Sequence, residues 1–291
     1  MILITGATGK VGKEVIKQLA QNKQATRAFA RNRTQAREIA LPGVEFVEGD
    51  FAKPKTFARA LEGVETLFLS TPSSAEAEEW QCDFVDAALK SKVKRIVKLS
   101  QLGANEKAPG RFQRHHGAVE QYITKSKIPY TFLRPNLFMQ GLLNFRPTIA
   151  SQGVFFAPVS QARISVVDVR DVGEVAAKTL SEPNHEGRAY ELTGPESLTH
   201  AEMAEQLSQA VGKPIKYVEV SPEMMKEALV KNGMPGWQAD GVVEDYEHYQ
   251  KGEAEQVSSA VRDITGYEAT YFAQFALDNS ARFAGKAAGK T

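Results

Sequence analysis

Short apolar runs alternate with helix-like stretches along the first half of the chain. The runs are MILIT, ATRAFA, VEFVEGD, TLFLST, RIVKLS and YTFLRPN. Between them, apolar residues recur at helical spacing, as at Val11, Val15 and Leu19. This alternation predicts repeated βα units. Because the strands ILIT, TLFLS and RIVKLS are apolar on both faces, we predict an α/β fold with a Rossmann-type doubly wound parallel sheet, which places ligands at the carboxyl ends of its strands.

The pattern loosens after about residue 150. A strand-like RISVVDV, a helical DVGEVAAKTL and a strand AYELTG are followed by helices from SLTHAEMAEQLSQAVG onward. We therefore predict a sheet domain over residues 1–195 and a smaller, mainly helical C-terminal subdomain over 196–285 that covers the substrate, with part of 140–165 contributing to the pocket. The small, basic tail AGKAAGKT is left out of the predicted fold.

Composition and charge narrow the class of ligand. The 291 residues are 42% hydrophobic and carry a formal net charge of +1, so no global field favours nucleic acid or a membrane surface, and we expect a small-molecule partner. The single cysteine, Cys82, excludes an internal disulfide and a multi-cysteine metal site. The apolar start MILITGATG is shorter than a signal or membrane segment. We expect a cytoplasmic protein, with a homodimer possible.

A glycine-rich loop, TGATGKVG, lies between the first predicted strand and helix. Gly6 allows a sharp turn, Gly9 lets backbone N–H groups approach a pyrophosphate, and Gly12 lets the helix pack closely on its strand. In this context the loop predicts dinucleotide binding, the alternative being a tight turn without a ligand. The residues assigned to the cofactor here are Gly6, Thr8, Gly9, Lys10, Val11 and Gly12.

The second predicted strand ends in basic residues. A fold that prefers NAD places an acidic residue about 20 positions after the loop, but Arg31 and Arg33 lie here instead. Guanidinium groups suit the 2′-phosphate of NADP, so we predict NADP(H) as cofactor. The alternative is a solvated arginine face on the next helix, to which we assign Arg37.

The ends of the next two strands supply further cofactor candidates. Asp50 and Phe51, in VEGDF, are predicted to bracket an adenine edge. Thr71 and Pro72 follow TLFLS, where the middle of the cofactor would cross the sheet. The alternative for both pairs is ordinary loop structure.

Several successive segments resemble one family. TGATGKVG, GDF, LSQLGA, HGAVEQYI, YTFLRPNLFMQ and ISVVDVRDVGEVAA are similar, in this order, to the signatures of the NmrA-like branch of atypical short-chain dehydrogenases/reductases. That branch includes type 2 quinone oxidoreductases, triphenylmethane reductases and non-catalytic cofactor-sensing regulators. The resemblance implies NAD(P) binding along the first strands, substrate beneath the C-terminal subdomain and, in catalytic members, hydride transfer from the nicotinamide.

The stretch FQRHHGAVE departs from the usual chemistry of the superfamily. Its usual Tyr and Lys, four residues apart on the helix after the fifth strand, correspond here to Phe112 and His116, and Ser100 lies near the place of the usual serine. We predict that His116 bonds the nicotinamide ribose and offers a proton near neutral pH. The alternatives are a structural His116 bonded to Glu120 and a Ser100 bonded to backbone. His115 points roughly 100° away, so a shared metal ion is not expected.

The missing tyrosine restricts the reaction. An ordinary ketone needs a proton donor beside the reacting oxygen, which Phe112 cannot supply. A reduced quinone is a phenolate-like anion whose conjugate acid has a pKa of about 10, and a cationic dye needs only the hydride. We therefore predict an NADPH-dependent oxidoreductase that acts on a small aromatic or conjugated acceptor. The alternative is a non-catalytic NADP-binding redox sensor of the NmrA type, with a protein partner.

The segment PNLFMQGLLNF follows the sixth strand, where the resemblance places the substrate pocket. The predicted wall residues are Asn136, Phe138 and Gln140, whereas Met139 and Leu142 are predicted to be core. Trp237, in GMPGWQ, is a further candidate to cap the pocket.

Overall fold

The computed structural model describes residues 1–32, 34, 37 and 39–285 and divides into two compact units. The first unit contains Met1–Pro135 and Val169–Glu191, and the second contains Asn136–Asp168 and the residues from Leu192 onward. Residues 136–168, which the sequence analysis placed within the first domain apart from a contribution to the pocket, are grouped with the C-terminal residues.

The strands and helices follow the predicted βα rhythm. The strands are β1 (Ile2–Ile4), β2 (Thr26–Ala30), β3 (Val44–Glu48), β4 (Thr66–Leu69), β5 (Arg95–Leu99), β6 (Tyr130–Pro135), β7 (Val154–Ala157), β8 (Arg188–Leu192) and β9 (Lys216–Glu219). The helices are α1 (Lys10–Gln21), α2 (Phe57–Leu61), α3 (Ala77–Lys90), α4 (Arg111–Ser126), α5 (Arg146–Gln152), α6 (Val169–Ser181), α7 (His200–Val211), α8 (Pro222–Lys231), α9 (Gly236–Gln250), α10 (Ala260–Thr265), α11 (Phe272–Asp278) and α12 (Ser280–Phe283). Two 3-10 segments cover Pro54–Thr56 and Met139–Phe145.

The first unit is built on a seven-stranded sheet in the order β3-β2-β1-β4-β5-β6-β8. The pairings from β3 across to β6 are parallel. The strands β1 and β4 are buried along their whole length, as expected for a sheet covered on both faces. The order reverses beside β1, which pairs with β2 on one side and β4 on the other. The carboxyl ends of β1 and β4 therefore form the crevice where such folds bind ligands.

The second unit is mainly helical, as predicted, but it also contains a small sheet. β7 and β9 pair in parallel, with Val154 opposite Lys216 and Ala157 opposite Glu219. Neither strand was predicted from the sequence; each has only four residues, and β9 has little buried surface. The predicted strand RISVVDV instead makes isolated bridges, between Phe138 and Val167 and between Ile164 and Leu198.

The long helices show why these segments are helical. α1 buries Val11, Val15, Ile16 and Leu19 along one side and leaves its polar residues outside. α7 begins with a capping box, in which the Thr199 hydroxyl accepts the Glu202 N–H and the Glu202 carboxylate accepts the Thr199 N–H. Among the described residues, no helix is both long and apolar enough to cross a membrane.

Candidate active site

The glycine loop after β1 is as tight as its sequence predicts. Gly6 has φ +60°, in the left-handed region, and a Cβ there would lie 3.0 Å from the Ser70 side chain. A Cβ on Gly12 would lie 2.2 Å from the Gly6 carbonyl oxygen, which no side chain can tolerate. The Gly9 N–H donates to the Gly6 carbonyl at 2.9 Å. The loop thus holds the first turn of α1 against the end of β1.

The start of α1 fits a bound pyrophosphate. Gly9 is the N-cap residue, no side chain caps the helix, and no acidic residue occupies its first turn. The first N–H groups of a helix lack partners within it and favour an anion. Thr8 is half-buried and Lys10 is exposed, whereas Val11 is a core residue that is 5% exposed. The backbone of this loop, rather than the Val11 side chain, would therefore hold the phosphates of NADP(H).

Thr5, which was not among the predicted site residues, links the carboxyl ends of β1 and β4. Its hydroxyl donates to the Phe68 carbonyl at 2.9 Å and accepts the Ser70 N–H at 2.8 Å. The side chain is fully buried, so these bonds satisfy a polar group that burial would otherwise penalise. The ends of β1 and β4 are consequently held together beneath the loop.

Two of the residues predicted to bind the adenosine part of the cofactor, Arg31 and Asp50, lie beside the same depression. Arg31 is exposed directly after β2, and Asp50 lies at the end of β3, where its carboxylate accepts the Ala52 N–H at 3.1 Å. Both border a depression of about 340 Å³, which is lined by Arg31, Glu48, Gly49, Asp50, Lys53, Thr56 and Arg59. Arg37 is exposed. Arg33 lies outside the described residues.

The ring of Phe51 belongs to the core. It is 8% exposed and packs against the rings of Phe29, Phe57 and Phe84, with centroid distances of 5.4, 6.2 and 5.2 Å. Burying an aromatic side chain in such a cluster contributes a large apolar area and favourable edge contacts. Packing against the other phenylalanines accounts for the position of the ring, and its contact with the adenine remains a prediction.

Thr71 and Pro72 follow β4 at the switch point. The Thr71 hydroxyl accepts a hydrogen bond from the Gln81 amide at 2.9 Å, and Gln81 is buried on α3. Pro72 is exposed. Their contact with the cofactor remains a prediction.

A lysine is buried at the centre of the first unit, beside the predicted catalytic histidine. Lys98 lies on β5 and is 0% exposed. Its ammonium group lies 2.8 Å from Nδ1 of His116 and donates to the Leu99 carbonyl at 3.1 Å. Lys98 was not among the predicted site residues, because the segment RIVKLS has the pattern of an apolar strand. The available signal was a charged residue in the middle of a buried strand, which needs a partner.

Burial changes the acid–base properties of both groups. Desolvation lowers the pKa of Lys98 from 10.5 to about 7, with Arg134 acting in the same direction and Glu120 and Cys82 opposing it. Desolvation also holds the pKa of His116 well below its usual value, and the neighbouring Lys98 and His115 reinforce the effect. The ring of His116 is therefore neutral at neutral pH rather than an imidazolium acid, and its predicted bond to the nicotinamide ribose remains a prediction.

Ser100 belongs to a neighbouring polar network. Its hydroxyl donates to Oε1 of Glu120 at 2.5 Å. Arg134 donates to the two oxygens of the same carboxylate, at 3.0 Å from Nε and 2.5 Å from Nη2. Neither proposed alternative matches these contacts, because Ser100 bonds a side chain rather than backbone and Glu120 is occupied by Ser100 and Arg134 rather than His116. The network ties β5, α4 and β6 together.

One side of α4 is more deeply buried toward its C-terminal end. Phe112 and His116 are half-buried, whereas Val119, Glu120 and Ile123 are buried. Nε2 of His115 lies 4.0 Å from Glu78, away from the lysine contact. Within the described part of the chain, no group of three or more histidine, cysteine or acidic side chains is arranged to hold a metal ion.

The predicted pocket residues lie in the second unit. Asn136 is 5% exposed, and its amide donates at 2.9 Å to both the Ser165 hydroxyl and the Ala254 carbonyl. These bonds give it a structural role, and its place in the pocket wall remains a prediction. Phe138 is half-buried, and the half-buried Gln140 donates to Asp168 at 2.7 Å.

Three further side chains were considered from the sequence, two as core residues and one as a cap of the pocket. Met139 and Leu142 are buried, as predicted for core residues. Trp237 is half-buried in the first turn of α9, and its role as a cap of the pocket remains a prediction.

Comparison with known proteins gives the same picture. A model of the NmrA-like family matches residues 1–272. The NAD(P)H azoreductase of Xenophilus azovorans is 35% identical over 283 residues, which is 97% of this chain and 99% of that protein. The structure of an NADPH-dependent quinone oxidoreductase from Escherichia coli complexed with NADPH superimposes with a TM-score of 0.86, at 29% identity over 95% of this chain and 98% of that one.

A second solved structure is similarly close. The triphenylmethane reductase of Citrobacter sp., complexed with NADP(H), superimposes with a TM-score of 0.85, at 28% identity over 96% of this chain and 100% of that one. These matches confirm the predicted fold class and family. The chain belongs to the NmrA-like family.

Proposed function

We propose that this protein is an NADPH-dependent oxidoreductase that transfers a hydride to a small aromatic or conjugated acceptor, such as a quinone or a dye. The relatives named above are NAD(P)H-dependent reductases or were solved with NADP(H), which supports the class of reaction and the cofactor. The acceptor is argued from the residues of the site.

The cofactor requires a cradle, and the glycine loop supplies one. Gly6, Gly9 and the start of α1, which no side chain caps, would hold the pyrophosphate, because the first N–H groups of a helix favour an anion. Arg31, exposed directly after β2, would pair with the 2′-phosphate. NADPH, when bound, supplies a hydride from its nicotinamide ring.

The observation that supports the choice of acceptor is the phenylalanine side chain at position 112. The residue lies on α4 one turn before His116, where the superfamily resemblance expects a tyrosine, and it offers no hydroxyl. Acceptors whose reduced form is a delocalised or weakly basic group tolerate this absence better than ordinary ketones do. Quinones and cationic dyes meet that condition.

The test combines binding and turnover. Purified protein is titrated with NADPH and with NADH by fluorescence, and loss of the reduced cofactor is followed with quinones, azo dyes and triphenylmethane dyes. We expect saturable binding, a preference for NADPH, and turnover with at least one class. Absence of turnover with every class despite tight NADPH binding would refute the enzyme and favour the alternative of a redox sensor.

Arg31→Ala tests the cofactor assignment. Because the 2′-phosphate is absent from NADH, we expect this change to weaken NADPH binding at least tenfold and to leave NADH binding nearly unchanged. A tenfold loss of affinity corresponds to about 1.4 kcal/mol of binding free energy. Arg37→Ala is the matched control, since Arg37 is also exposed and arginine but is assigned to the solvated face. An equal effect of both changes on NADPH affinity would refute the role of Arg31.

A further inference from the structure

We propose that Lys98 and His116 form a proton relay that delivers a proton to the acceptor when it receives the hydride. This inference rests on the proposed function and deepens it, because it assigns the source of the proton that Phe112 cannot provide. His116 is the donor that meets the acceptor, and Lys98 acts through it.

The geometry supports a directed relay. The ammonium group of Lys98 lies 2.8 Å from Nδ1 of His116, and the lysine itself is fully buried. It therefore cannot meet an acceptor directly. The residue His116 is half-buried, and Nε2 is the ring nitrogen that Lys98 does not contact, so the relay assigns Nε2 to the acceptor. The pair connects a fully buried lysine to a histidine that is only partly buried.

The contact also fixes the tautomer of the histidine. A charged lysine has only donors, so Nδ1 must accept its hydrogen bond and the proton of the neutral ring must sit on Nε2. Bound NADPH would supply the hydride with its electron pair, which leaves an anion on the acceptor. The Nε2 proton passes to the resulting anion, Nδ1 takes a proton from Lys98, and the lysine becomes neutral. Solvent then restores the lysine proton, so the net reaction consumes one hydride and one proton.

The charges around Lys98 allow both of its protonation states. Glu120 and Cys82 favour the charged form, and Arg134 disfavours it. The carboxylate of Glu120 is already paired with Arg134, which limits its hold on the lysine. Burial and the carboxylates of Glu78, Asp86 and Asp83 raise the pKa of the Cys82 thiol to about 11, so it stays neutral. His115 is the other titratable neighbour of His116.

Different acceptors need this proton to different extents. A triphenylmethane cation becomes neutral when it receives a hydride and needs no proton. A reduced quinone is a phenolate-like anion, with a conjugate acid of pKa about 10, which water can protonate. Addition of hydride to an azo bond leaves a nitrogen anion that is far more basic than a phenolate. The relay therefore predicts a graded dependence on Lys98, greatest for azo compounds.

Lys98→Met removes the proton and keeps the side-chain length. We expect the ratio of kcat for an azo dye to kcat for a triphenylmethane dye to fall roughly a hundredfold or more, the usual contribution of a general acid. The ratio for a quinone should fall less. Lys94→Met is the matched control, because Lys94 is an exposed lysine directly before β5, paired with Glu65, and this change should leave both ratios unchanged. Equal losses with all three acceptors would overturn the relay in favour of a structural role.

The pH profile of the unchanged protein adds a second readout. The relay works while Lys98 carries its proton, so kcat with an azo dye should fall as the pH rises through about 7, whereas kcat with the triphenylmethane dye should show no such step. In Lys98→Met the step should disappear. A step that persists in the variant would show that another group supplies the proton.

Nitrogen-15 NMR of labelled histidines tests the pair without cofactor or turnover. At neutral pH the His116 signals should report a neutral ring with the proton on Nε2, and the Nδ1 shift should change with a midpoint near pH 7 as Lys98 titrates. His116→Gln identifies the signals. The opposite tautomer would overturn the relay even if the protein reduces dyes. The expected tautomer, together with no turnover of any acceptor, would instead contradict the proposed function.

Discussion

Replacing the buried Lys98 with methionine should stabilise the protein by an amount that depends on pH. The side chain is 0% exposed, and its pKa falls from 10.5 in the unfolded chain to about 7 in the folded protein. Between these values the unfolded state binds more protons than the folded state. The free energy of unfolding therefore rises with pH across this window, by about 1.4 kcal/mol for each pH unit.

The shift sets the scale of the effect. A pKa difference of about three and a half pH units corresponds to roughly 5 kcal/mol across the whole window, as an order of magnitude. From pH 7.5 to 9.5 the wild-type protein should gain roughly 2–3 kcal/mol relative to the Lys98→Met variant, in which this titration is absent. The advantage of the variant should thus be largest near pH 7 and should shrink as the pH rises.

Urea unfolding at a series of pH values measures this difference. The two proteins are compared with Lys94→Met, whose exposed lysine contributes little and should show a pH-independent difference from wild type. If the free-energy difference between wild type and Lys98→Met stays constant within about 0.5 kcal/mol from pH 7.5 to 9.5, Lys98 has an ordinary pKa and the reasoning from its burial is wrong.

Three further changes test other parts of the structure. Gly12→Ala should cost about 1–3 kcal/mol of stability and weaken NADPH binding at least tenfold, whereas Gly141→Ala, with no atom near its added Cβ, should change neither in urea unfolding and fluorescence titration. Glu120→Gln should cost about 2–3 kcal/mol, because its half-buried arginine partner loses its charge pair, whereas the exposed Glu65→Gln should cost less than about 1 kcal/mol in the same unfolding assay. Burial lowers the pKa of His200 to about 4, so the stability of the wild type should fall as the pH drops from about 6.5 to 4, and His200→Gln should reduce that slope.

The periodicity of the chain was sufficient to predict the sheet. Continuous apolar strands and amphipathic helices are dictated by burial on both faces, so β1, β4 and α1 follow directly from their residues. The pair β7 and β9 could not be predicted in this way. Each has four residues and gains its hydrogen bonds from a partner about 60 positions away, which no local pattern encodes.

The glycine loop was predictable in detail because each glycine answers a local steric demand. The φ of Gly6 and the missing space at Gly12 are properties of a short segment. The role of Phe51 was not predictable from its neighbours in sequence, since the strand end is equally compatible with a ligand contact and with the cluster that contains Phe29 and Phe84. Which of these occurs depends on side chains that arrive from α2 and α3.

His116 was predicted as a site residue from its position in the sequence, and the structure adds a contact with Lys98. Sequence position made it the substitute for a lysine, and the structure shows that a lysine is still present, on β5 rather than on α4. A charged residue in a buried strand costs stability, and local rules of folding are most often broken where function requires it. Lys98→Met is therefore expected to fold more stably at neutral pH and to reduce azo compounds more slowly. If the variant gains stability and keeps its full rate of azo reduction, the buried charge of Lys98 lowers the stability of the protein without contributing to catalysis.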